Sequence, residues 1–174
     1  MDNSNQNPTV IEQAGEDLFN YAIEREDVKM LMGQLARRAK VKPASLEYEL
    51  QILKIISVGW SISYHLSGTP RRKAALGDLF WSSINNFSKE LSQTTGLMTG
   101  ADIDYFEILK KRLDQYVQAM EDNLQAPDPA TVIGPVFADF CGHGDDIFAT
   151  MAGTKIFTNT VARVRQYLKA VKLR

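Results

Sequence analysis

The chain of 174 residues has one cysteine, Cys141, so it can form no internal disulfide and no cysteine-based zinc site. A reducing cytoplasm is the expected setting. It also lacks a long apolar run. The longest uncharged stretch, residues 55–70 with His65 neutral, is broken by serines and glycines and falls short of the roughly 20 apolar residues a membrane span needs. The first seven residues, MDNSNQN, have neither the basic segment nor the apolar segment of a secretory signal, so no export is expected. No glycine-rich phosphate loop, dinucleotide fingerprint or Gly-x-Ser-x-Gly elbow occurs, and neither histidine stands in a Glu-x-x-His or His-Glu-x-x-His motif. Alternation long enough for a strand is missing, as is any repeat of 20–50 residues.

What is present is helical. Apolar residues make up 44% of the chain and charged residues 24%, the balance of a folded globular protein. Residues 1–8 are polar, end at Pro8 and read as a disordered leader to a single helical-bundle domain over 9–174. Thr9 and Glu12 form a capping box, after which Ile11, Ala14, Leu18, Tyr21, Val28, Leu31 and Leu35 recur at helical spacing. The charged run Glu24-Arg25-Glu26-Asp27 leaves open whether this is one helix or two.

Pro43 suits the first turn of the next helix. One stripe there holds Leu46, Leu50, Leu53, Trp60 and Tyr64, and a second holds Ile52, Ile56, Gly59, Ile62 and Leu66. Only Glu47, Gln51, Lys54, Ser61 and His65 make a polar face, so this helix is the expected hub of the fold. Gly68-Thr69-Pro70 ends it. Further helices are expected over about 71–95, from Thr99-Gly100-Ala101-Asp102 to Pro127, over 130–141, and over 145–172 in one or two pieces. Short connections favour antiparallel neighbours, giving an all-α, up-and-down bundle of about five or six helices.

Net charge is −1, unevenly spread. The first 27 residues carry seven acids and one base, whereas no acid follows Asp146 and six bases do. Pairing of the first and last helices, within the chain or across a dimer, is the simplest reason.

The densest chemistry is Asp139-Phe140-Cys141-Gly142-His143-Gly144-Asp145-Asp146. On an unbroken helix Asp139, His143 and Asp146 would share a face and could hold a divalent metal or orient the imidazole for acid–base work. Against this, the same projection sets His143 near Val136, Phe140 and Ile147, and an aspartate here equally serves as an N-cap. His65, on the polar face near a helix end, is at most an outlying second imidazole, and Cys141, beside Phe140, reads as a small buried residue.

These residues favour a non-enzymatic helical domain with no cofactor, acting on a protein partner or by self-association. Phe80-Trp81 and Tyr105-Phe106 offer interface material, although Trp81 is read first as core. One alternative is a metal- or small-ligand-binding bundle centred on Asp139, His143 and Asp146. Another is a nucleic-acid-associated protein using Arg37, Arg38, Arg71, Arg72 and Arg163. The near-zero net charge and the lack of aromatics among the bases speak against the latter.

Overall fold

In a computed structural model, the structure describes residues 9–35 and 37–173. The polar leader expected over residues 1–8 lies outside the described residues. Seven helices form an all-α bundle: α1 (Val10–Ile23), α2 (Glu26–Leu35), α3 (Pro43–His65), α4 (Pro70–Thr99), α5 (Tyr105–Asp122), α6 (Pro129–Phe140) and α7 (Ile147–Ala170). No strand occurs among the described residues, and no helix there is long and apolar enough to cross a membrane.

The capping box forms as the sequence predicts, with the Thr9 hydroxyl accepting from Glu12 N and the Glu12 carboxylate from Thr9 N. The charged run at 24–27 does break the helix, at Glu24-Arg25. Two backbone carbonyls freed there are satisfied from α3: Gln51 Nε2 donates to Ala22 O and Lys54 Nζ to Glu24 O, both at 2.8 Å.

The hub is α3. Leu46, Leu50, Leu53 and Val58 are fully enclosed, and full burial stabilises by about 1.5–3 kcal/mol for each such side chain. The helix contacts α1, α2, α4, α5, α6 and α7. Its expected polar face is not on the surface, however. Lys54, Ser57 and Ser61 are buried, the serines donating back to carbonyls four residues earlier, because α1, α2 and α7 close over that side. Trp81 is half-buried core, its indole lying on Gly59, where any Cβ would stand 2.2 Å from the ring.

Two contacts fix helix direction. Lys40 N donates to Asp146, joining the starts of α3 and α7, and Arg72 reaches Leu173 O at 3.4 Å, joining the start of α4 to the end of α7. Hence α3 and α7 run parallel, with α4 antiparallel to both. Gly15 meets Leu79 and Phe19 meets Phe87, so α1 runs alongside α4 in the same direction.

The helix expected to start in 99–102 starts later. Gly96 is still helical; α4 runs to Thr99, and Gly100 at φ +71° adopts the left-handed conformation that terminates it. A connector follows, and Asp104 caps α5 by accepting from Glu107 N.

The unlike charges of the first and last helices meet within the chain. Arg163 of α7 pairs with Asp27 of α2 at 3.4 Å, and the Tyr167 hydroxyl donates to Asp17 of α1 at 2.6 Å.

Candidate functional site

Asp139, His143 and Asp146 do not share a helix. The helix breaks after Phe140, with Cys141 as its C-cap and Gly142 at φ +86°. The turn closes by His143 N donating to Ala138 O at 3.1 Å, which leaves the imidazole exposed. The exposed Asp139 lies over Gly144, whose Cα has no room for a side chain on that face. Asp145 pairs with Lys40 at 3.2 Å. Among the described residues, no group of three His, Cys, Asp or Glu side chains is placed to hold a metal ion.

Asp146 is instead a connector. Its buried carboxylate accepts from Phe148 N and Ala149 N at the start of α7 and from Lys40 N in the segment before α3. Burial pushes its pKa up, but the backbone N–H groups of Ala149, Lys40, Phe148 and Val41 outweigh burial and hold it below the ordinary carboxylate value. A lowered native pKa gives stability that is whole above the unfolded value of about 3.9 and is lost as pH falls through the native value. Asp146→Ala is therefore expected to cost about 2 kcal/mol in urea unfolding at neutral pH. Its deficit against wild type should shrink below about pH 4, and a deficit independent of pH would refute the carboxylate's role.

The remaining sequence candidates also separate. Cys141 is buried, and burial pushes its thiol up to about 12, away from reactivity. His65 is half-buried in the last turn of α3, edge-on to Tyr64, rather than exposed. Arg37 and Arg38 lie just before the start of α3, Arg71 and Arg72 in the first turn of α4 at the opposite end, and Arg163 is paired with Asp27, so the five bases form no single surface.

Two buried ion pairs escaped the sequence reading. Glu49, 4% exposed, accepts two hydrogen bonds from Arg112 of α5, at 2.7 and 3.0 Å, and the guanidinium lies 4.2 Å from the Phe140 ring centre. Lys54, fully enclosed, stands 3.4 Å from Asp27 and 4.3 Å from the Tyr21 ring centre. Burial lowers the Lys54 pKa, and Asp27 opposes that shift. A signal for the first pair was present: Glu49 falls on the Leu46–Leu50–Leu53 stripe, and an acid on such a stripe needs a cation.

The largest opening is a groove of about 390 Å³ where α1, α3, α4 and α5 meet. This volume lies within the roughly 300–1,000 Å³ of ligand pockets. Ile52 and Ile55 of α3, Phe87 and Leu91 of α4, Leu109 of α5 and Ile23 of α1 supply its apolar lining. The ion pair Arg25–Glu47 borders it, and Tyr48 and Leu91 remain 39% and 41% exposed. The groove arises from unequal helix lengths. Trp81 of α4 rests on Gly59 of α3, so the start of α3, sixteen residues before Gly59, falls level with Leu97, and the end of α4 runs past it. There Leu97 and Met98 are 90% and 80% exposed. No protein-family model, no curated protein and no solved structure matches this chain.

Proposed function

We propose that the protein is a non-enzymatic binding module and that it receives apolar side chains of a protein partner in the groove between α1, α3, α4 and α5. The observation that carries this reading is the groove's composition: a mainly apolar lining of about 390 Å³, with large apolar groups at its rim and one ion pair beside it. Exposed apolar surface of this kind costs solubility unless something covers it. The polar groups with unusual environments lie elsewhere and hold helices together: Asp146 caps α7, Glu49 holds Arg112, and Lys54 closes the α1–α2 break. A lone buried cysteine fits a cytoplasmic setting.

The neutral fluorophore N-phenyl-1-naphthylamine tests the groove. Dilute wild-type protein should give a saturable fluorescence increase. Leu91→Trp, which fills the mouth from a partly exposed rim position, should weaken binding by about tenfold or more with unchanged helical circular dichroism. Probe binding that is absent, or is equal in the two proteins, would count against this reading.

A further inference from the structure

We infer that the groove's occupant is the end of α4 from a second copy of the chain, exchanged reciprocally about a two-fold axis; this rests on the reading of the groove as a binding surface. Met98 follows Leu91 by seven residues, so the two share a face of α4 about 10 Å apart, one at the groove's rim and the other on the bare end. If two α4 ends pair antiparallel with the axis between Thr94 and Thr95, residues 91 and 98 stand opposite one another. Each Met98 then lies at the mouth of the other copy's groove, and both contacts form at once, as a two-fold interface requires.

The face that would pair is free of charge. Phe87, Leu91, Thr94, Thr95 and Met98 lie along it, and residues 91–101 hold no acid or base. A symmetric contact sets a residue near the axis against its own copy, so any charge there would meet its like; none does. Thr94 and Thr95, at the axis, are smaller than the groups on either side and let the helices approach. Met98 is unbranched and flexible, suited to an irregular apolar recess. The chain's own leader is a poor competitor, since residues 2–8, DNSNQNP, are almost wholly polar.

Light scattering over a concentration series tests the exchange, using wild type, Met98→Asp and Leu91→Trp. The wild-type mass should rise with concentration towards twice the 19.5 kDa of one chain. Met98→Asp, altered at a position 80% exposed and so expected to fold normally, should stay near one chain. An equal mixture of Met98→Asp and Leu91→Trp should associate more than Met98→Asp alone, because Met98 of one variant can still enter the open groove of the other. A wild type that keeps the mass of one chain while still binding N-phenyl-1-naphthylamine overturns the exchange alone. One that neither associates nor binds the probe overturns the groove reading as well. Association of Met98→Asp equal to that of wild type overturns the exchange whatever the probe does.

Discussion

Replacing Arg112 with methionine is expected to destabilise the protein by about 3–5 kcal/mol, a large part of the roughly 5–15 kcal/mol available to a domain of this kind. The reason is what remains behind. The Glu49 side chain is only 6% exposed and takes both of its hydrogen bonds from the one guanidinium, so losing Arg112 strands a carboxylate between α3 and α5. Its alternative is to take up a proton, which costs stability at neutral pH by the same linkage. Removing both charges behaves differently. In Glu49→Leu with Arg112→Met, apolar groups of similar length fill the space, and stability should return to within about 1 kcal/mol of wild type or exceed it. Urea unfolding of the two single variants and the double gives the coupling directly. Additive losses would mean that the two residues do not form the pair described.

Gly153→Val should be nearly as damaging, at about 3 kcal/mol, the upper end of the usual overpacking range. The antiparallel α6 and α7 make the most extensive helix contact in the fold. They approach closely because Gly153 has no side chain: a Cβ there would lie 2.6 to 2.7 Å from Phe137, which is fully buried and has no space to yield. Gly134 on the facing helix is constrained in the same way by Thr154 and Thr150. Gly77→Ala is the control. It lies within α4 with nothing inside 4 Å of the added carbon, so the change should stabilise the protein by about 0.5–1 kcal/mol through helix propensity alone. A thermal midpoint for Gly153→Val as high as that of Gly77→Ala would show that α6 and α7 are further apart than described.

Much of the fold was legible because helices announce themselves locally. The 3.6-residue spacing of apolar residues, the Thr9-Glu12 capping box and the prolines at the starts of α3, α4 and α6 act within a few residues, and the structure places helices where they point. The girth of apolar residues on α3 likewise marked it as the hub.

The rest depends on contacts between residues far apart in sequence. Lys54 reads as exposed beside Glu47 and Gln51, yet it is enclosed because the carbonyl of Glu24 and the carboxylate of Asp27 wait for it across the helix break. Asp139, His143 and Asp146 have the spacing of a shared site only on a continuous helix, and the left-handed Gly142 removes that condition. The groove had no local signature at all. It follows from the register of α4 on α3, which is set by the indole of Trp81 settling on Gly59, and from the extra length of α4 beyond that contact.

Side-chain methyl NMR during a titration with N-phenyl-1-naphthylamine, carried out on the Met98→Asp variant so that no second copy competes, tests the groove as a binding surface most directly. The prediction is progressive, saturable movement of the Ile23, Ile52, Ile55, Leu91 and Leu109 methyl signals, while those of Ile133 and Ile156 in the α6–α7 core stay fixed. Groove methyls that hold still throughout, or shifts confined to the α6–α7 core, would contradict it.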